Sequence, residues 1–85
     1  MDAREKRLKR LAIRSWRRGT KEMDLILGPF WDAHGASLDE GTLALYEALL
    51  SENDQDLYQW ISGQVPVPDS FSVIIDRIMR HGAAI

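Results

Sequence analysis

The sequence contains no cysteine, which excludes a disulfide framework, a thiolate metal site and a cysteine nucleophile together. No run approaches the ~20 apolar residues needed to span a bilayer. The N-terminal segment is charged and lacks the apolar stretch of a secretory signal. It is Arg-rich in the manner of a mitochondrial presequence, but it carries Asp2 and Glu5 and merges directly into the domain. A soluble protein of a reducing compartment, the bacterial cytoplasm, is therefore expected. The glycines Gly28, Gly35, Gly41 and Gly63 are dispersed and build no phosphate-cradling loop. Histidine is scarce: His34 and His81 fall near predicted helix ends, outside any metal-ligand spacing, and read as solvent-facing or capping side chains. The serines lack a nucleophile-elbow context. Acidic pairs such as Asp39/Glu40 and Asp54/Asp56 stand at helix starts, where the dipole accounts for them. No catalytic residue and no metal ligand is assigned, and an enzyme is not expected.

What is present is one small domain's worth of chain. The 85 residues are 45% hydrophobic, enough for a folded core. A chain this short buries only about 60–65% of its unfolded surface and has little room for an internal cavity. The net charge of -2 hides an asymmetry. Residues 1–22 hold nine of the eleven basic side chains against three acids, whereas residues 23–85 hold Arg77 and Arg80 against ten acids. Arg7, Arg10, Arg14, Arg17 and Lys21 recur at spacings of three and four, one basic stripe on a helix, beside an apolar strip of Leu8, Leu11, Ala12 and Ser15. That stripe is either a face packed on the acidic body or a docking surface for an acidic partner.

Helical periodicity dominates elsewhere. Phe71, Ile74, Ile75, Ile78 and Met79 follow i, i+3, i+4, i+7, with Asp69 expected to cap the helix and Gly82 to end it. Ser37-Leu38-Asp39-Glu40 reads as a capping box for a helix whose core face includes Leu38, Leu45 and Leu49. Asp54 is expected to cap a short helix carrying Leu57, Trp60 and Ile61. The alternate prolines of Val65-Pro66-Val67-Pro68 form an extended connector. Met23, Ile26, Leu27, Phe30 and Trp31 describe another helix, kinked or interrupted at Gly28-Pro29. No stretch alternates with period two long enough for a strand. The expected fold is all-α: a single domain over residues 1–85, a bundle of about five helices, with residues 1–7 a frayed basic segment.

One local feature needs more than helix packing. In Trp16-Arg17-Arg18-Gly19-Thr20-Lys21-Glu22-Met23-Asp24 a glycine separates two helical stretches, with two arginines before it and two carboxylates after it. Gly19 can adopt φ > 0 and admits a close backbone. Arg18 offers a planar fork of donors. Glu22 can pair with Arg18 across the corner or accept from a partner, and the whole corner can equally be an interhelical turn with an internal ion pair.

Arg18-Gly19-x-x-Glu22 resembles the R-G-x-x-E signature of the SdhE-like succinate dehydrogenase assembly factors, also called flavinylation factors. The wider run Arg17-Arg18-Gly19 with Glu22-Met23-Asp24-Leu25 is similar too. So are Pro29-Phe30, the helix beginning Ser37-Leu38, Leu45-Tyr46-Glu47-x-Leu49-Leu50 and Asp54-x-Asp56-Leu57-Tyr58-x-Trp60. The resemblance runs from about residue 8 to residue 80. It implies a small five-helix chaperone that binds the flavoprotein subunit of succinate dehydrogenase, and in some bacteria that of fumarate reductase. Such a factor promotes covalent attachment of FAD, through its 8α-methyl group, to a histidine of that subunit. The cofactor then belongs to the partner, the chain holds none stably itself, and a monomer without membrane insertion or nucleic-acid binding is expected. By this resemblance the partner-binding residues are Arg18, Gly19 and Glu22, with Arg17 and Asp24 as further contacts. The rivals from other classes are a nucleic-acid-binding helical module using the basic arm and an antitoxin-like protein binder.

Overall fold

The computed structural model describes residues 2–83, so Met1 and residues 84–85 of the expected domain lie outside the described residues. Five α-helices follow one another: α1 (Ala3–Trp16), α2 (Lys21–His34), α3 (Glu40–Leu49), α4 (Asp54–Ile61) and α5 (Ser72–Ala83). Short 3-10 turns at Gly35–Ser37 and Asp69–Phe71 precede α3 and α5. Among the described residues there is no strand, and no helix is long and apolar enough to cross a membrane.

α2 is the central element, packing on α1, α4 and α5. It buries Met23, Leu27, Phe30 and Trp31 against Leu11 of α1, Leu43, Tyr46 and Leu49 of α3, Leu57 of α4, and Ile74, Ile75 and Ile78 of α5. Phe30 and Trp31 are thus core residues, while Trp60 lies half-buried against Phe71 at the core's edge. The buried Ser15 hydroxyl donates to the Leu11 carbonyl at 2.8 Å and meets the Tyr46 hydroxyl at 2.6 Å. With its only proton committed, Ser15 accepts from Tyr46, and both polar groups of the core are satisfied. Burial pushes the Tyr46 hydroxyl up to about 12.

Several local expectations are corrected. Residues 3–7 are the first turns of α1, not a frayed segment: Asp2 accepts from Glu5 N–H at 2.8 Å. Arg7 pairs with Glu40 and Glu47, and Arg4 reaches Glu40 at 3.5 Å. This part of the basic stripe is therefore packed on acidic side chains of α3. α2 runs unbroken through Pro29. The lost hydrogen bond would have gone to Leu25, whose residue is largely solvent-exposed, so the proline costs least there.

The capping box is displaced by two residues. Ser37 lies in the 3-10 turn and donates to the His34 carbonyl, and Asp39 caps α3 by accepting from Thr42 N–H at 2.7 Å. Asn53, not Asp54, caps α4. At α5, Asp69 lies in the preceding 3-10 turn, and the helix continues past Gly82. The two histidines, expected as solvent-facing or capping side chains, meet across α2 and α5 with His34 Nε2 and His81 Nδ1 3.2 Å from each other.

The end of α1 is clamped onto the middle of α2. The Trp16 ring lies flat over Gly28, and its indole N–H donates to both carboxylate oxygens of Asp32 at 3.2 Å. A Cβ at position 28 would collide with the six-membered part of that indole. Gly28→Ala therefore sets a helix-propensity gain of about 1 kcal/mol against overpacking that costs about 1–3 kcal/mol. A net loss of stability is expected in urea unfolding, since the ring cannot move without leaving Asp32.

The pH dependence of α3 follows from its first turn. The Asp39 carboxyl is held below the usual carboxylate range chiefly by the Thr42 backbone N–H, and Glu40 chiefly by its hydrogen bond from Arg7. Folded-state values below the unfolded ones mean that this stabilisation is present above the ordinary carboxylate range and is lost as pH falls through it. Both groups are exposed, so the effect is small. Urea midpoints measured from pH 7 down to pH 3 should fall less steeply in Asp39→Asn/Glu40→Gln than in the wild type.

Candidate functional site

The motif occupies the corner between α1 and α2. Arg17 ends α1, its N–H donating to the Ile13 carbonyl at 3.0 Å, and its side chain faces solvent. Thr20 caps α2, accepting from Met23 N–H at 3.3 Å. Of the two connecting residues, Arg18 turns inward and Gly19 is exposed.

Arg18 reaches across to the α3–α4 junction. Its Nε donates to Asp54 Oδ1 at 2.8 Å, Nη1 to the Leu50 carbonyl at 2.7 Å and Nη2 to the Glu52 carbonyl at 2.8 Å. Its backbone N–H donates to Asp24 Oδ1 at 2.6 Å. The second oxygen of Asp54 accepts from the Gly19 N–H. The ion pair is nearly buried, with the Arg18 and Asp54 side chains 11% and 14% exposed. Carbonyls just past the end of α3 have no helical partner, and a guanidinium satisfies them while matching the negative end of the helix dipole. Asp54 stands at the start of α4, where a carboxylate is equally favoured.

This geometry changes the expected roles. Glu22 does not pair with Arg18; Asp54, distant in sequence, holds it instead. Because Asn53 takes the capping task, the Asp54 carboxylate is free for the corner. Gly19 does not use positive φ, which among the described residues occurs only at Gly63. A Cβ at position 19 would sit 3.2 Å from Asp54 Oδ2, so the glycine keeps the backbone close to that carboxylate. The sequence signal for this role of Asp54 is Asn53, which as a cap one residue earlier leaves the Asp54 carboxylate free.

The motif is thus divided. Arg18, Gly19, Asp24 and Asp54 come together as a hydrogen-bonded unit in which the Arg18 side chain turns inward and Gly19 stays exposed. Arg17, Lys21 and Glu22 lie outside and exposed. Glu22 makes no ion pair or side-chain hydrogen bond among the described residues, and with Thr20, Asp54, Gln55 and Tyr58 it lines a concavity of about 360 Å³. Among the described residues no three His, Asp or Glu side chains converge as a metal site would require.

Comparison with known proteins supplies the context of this corner. A family model described as "Flavinator of succinate dehydrogenase" matches residues 9–82. The chain is 35% identical over 77 residues to "Succinate dehydrogenase assembly factor 2, mitochondrial" of Dictyostelium discoideum, covering 91% of this chain and 55% of that one. It is 38% identical over 71 residues to the protein of the same name from Meyerozyma guilliermondii, covering 80% and 53%. To "FAD assembly factor SdhE" of Haemophilus ducreyi it is 33% identical over 63 residues, covering 73% and 77%. The chain spans from 19% to 55% of the length of the mitochondrial relatives it matches.

Asp54→Ala should leave a nearly buried guanidinium and the Gly19 N–H without their acceptor. A loss of about 3 kcal/mol is expected, which for a domain of this size lowers Tm by roughly 12–24 °C. Asp54→Asn keeps one acceptor and should cost less. Thermal unfolding followed by circular dichroism orders the two, and an Asp54→Ala protein as stable as the wild type would refute the inward role of the pair.

Proposed function

The chain belongs to the family of succinate dehydrogenase flavinators, and on that premise we propose that it is an assembly factor for the flavoprotein subunit of succinate dehydrogenase. It binds that subunit and promotes covalent attachment of FAD to it. The observation that carries the reading is the family match over residues 9–82, which includes an intact Arg18-Gly19-x-x-Glu22 corner. The related subunit of fumarate reductase is a second client.

The bond-forming chemistry is assigned to the flavoprotein, and this chain acts as a non-catalytic monomer. Attachment requires a histidine nitrogen held close to the flavin methyl carbon, and orientation of that kind lowers a barrier by several kcal/mol. A chaperone contributes by binding the attachment-competent arrangement of its client more tightly than the others. Gly19, Glu22 and Arg17 form the partner-facing side of the corner, while Arg18 and Asp24 hold it in shape. A corner already fixed by four hydrogen bonds loses little freedom on binding, which favours affinity.

FAD is assigned to the client. The concavity at the motif is bordered by Glu22 and Asp54, an environment that repels a pyrophosphate. The bacterial cytoplasm is the compartment that accompanies this reading, supported by the cysteine-free composition and the similarity to the Haemophilus factor. A nucleic-acid role is less well supported, because Arg4 and Arg7 are matched by Glu40 and Glu47 and thus contribute less to a phosphate-binding stripe.

The test is in-gel ultraviolet fluorescence of covalent flavin on the succinate dehydrogenase flavoprotein in cells lacking this gene. Wild type should restore the band; Gly19→Arg, whose side chain would displace Asp54 and obstruct the approach, should not. Glu22→Ala separates function from folding: its Tm should match the wild type while the flavin band falls about tenfold, equivalent to about 1.4 kcal/mol. Normal covalent flavin in the cells without the gene would overturn the assignment.

A further inference from the structure

α2 carries a stripe that the fold leaves uncovered. Glu22, Leu25, Ile26 and Pro29 recur at i, i+3, i+4 and i+7 and so share one helix face. Two hollows lie along that face. The first, about 360 Å³, sets Glu22 opposite Gln55 and Tyr58 of α4. The second, about 220 Å³, sets Leu25, Ile26 and Pro29 opposite Ile61 of α4 and Met79 of α5. Tyr58 and Ile61 are three residues apart, so α4 also turns one face to both hollows. Leu25 is 57% exposed, and Tyr58 and Met79 are each 42% exposed. A single exposed leucine needs no explanation, but two hollows following one another along the same helix faces, with exposed apolar side chains between them, mark an interaction surface.

The furrow is graded. Its motif end carries the unpaired Glu22 carboxylate, since Asp54 is engaged by Arg18 and Gly19. Its far end is mainly apolar, with His81 among its lining residues. No lysine or arginine lines either hollow. A polyanion would meet a carboxylate and hydrocarbon, whereas a peptide with apolar side chains and a terminal cation matches both ends. A second copy paired about a twofold axis would bring the same lining, which in neither hollow holds a lysine or arginine. From Glu22 to Pro29 the stripe rises about 10 Å, the reach of three or four extended residues.

We propose that this furrow between α2 and α4 is the docking groove for a short segment of the flavoprotein client, made of apolar side chains with a lysine or arginine that meets Glu22. The proposal rests on the assembly role above and deepens it: Glu22 belongs both to the motif and to the furrow, so the two surfaces are continuous. The motif supplies the polar anchor, and the furrow supplies the apolar area that gives a specific interface its core.

The test measures binding of the full chain to the purified, flavin-free flavoprotein subunit of succinate dehydrogenase by calorimetry. Leu25→Glu and Met79→Glu place charge in the furrow, with Leu25→Gln and Met79→Gln as milder versions should either charge disturb the fold. Val73→Glu and Ile13→Glu are controls at equally exposed apolar positions outside it. The furrow variants should bind about tenfold more weakly or worse, and the controls within about twofold of wild type. Furrow variants that bind like wild type while Gly19→Arg does not would overturn the groove and leave the assembly role standing. Wild type that fails to bind the flavoprotein would remove both. Equal losses in the controls would mark a nonspecific charge effect and overturn the groove. A wild-type dimer in sedimentation that Leu25→Glu converts to monomer would make the furrow a self-association face and likewise overturn the proposal.

Discussion

The guanidinium of Arg18 is where the chain's separate helices become one corner. It projects from the end of α1 and donates to Asp54 at the start of α4 and to the Leu50 and Glu52 carbonyls beyond α3. The backbone N–H of the same residue is held by Asp24 of α2. Burying a charge of this kind is costly unless its donors find acceptors. Here three side-chain donors do, and two of the acceptors are carbonyls that the end of a helix would otherwise leave unpaired. A domain this small cannot rely on area alone, because its surface-to-volume ratio limits what the core can contribute. A single side chain that ties the end of α3 to the start of α4 therefore has disproportionate weight.

That arrangement lets the same few residues serve folding and, in the proposed role, binding. The inward half fixes the path of the backbone through Gly19. The outward half, Arg17 and Glu22, is displayed on a base that does not have to be ordered on contact. Position 19 couples the two, since a Cβ there would lie 3.2 Å from the Asp54 carboxylate that Arg18 holds.

The rest of the fold reinforces α2, the helix that carries Glu22. Trp16 grips it at Gly28 and Asp32, and Phe30 and Trp31 anchor it beside Tyr46. The basic face of α1 is turned partly inward through Arg7 to Glu40 and Glu47. The asymmetry between basic arm and acidic body is in this respect a packing device, which leaves Glu22 as an uncompensated charge at the corner.

Much was legible before any coordinates. Apolar spacing in 71–79 and the alternate prolines after Gln64 mark helix and connector because helix period and proline sterics are local properties. The Arg18-Gly19-x-x-Glu22 spacing marked the corner, and the absence of cysteine removed whole classes of chemistry. What local pattern could not supply was the partner of Arg18: Glu22 is four residues away and Asp54 thirty-six, and only the packing of α4 against α2 decides between them. The shift of capping from Asp54 to Asn53, and from Ser37 to Asp39, follows from backbone direction at each helix start. The meeting of His34 with His81, and the furrow along α2, arise from helices distant in sequence. Sequence determined which residues are helical, apolar and charged, because those properties reside in the residue and its near neighbours. Tertiary structure alone decided which charges neutralise one another and which stay free for a partner, because that depends on distances no spacing along the chain encodes.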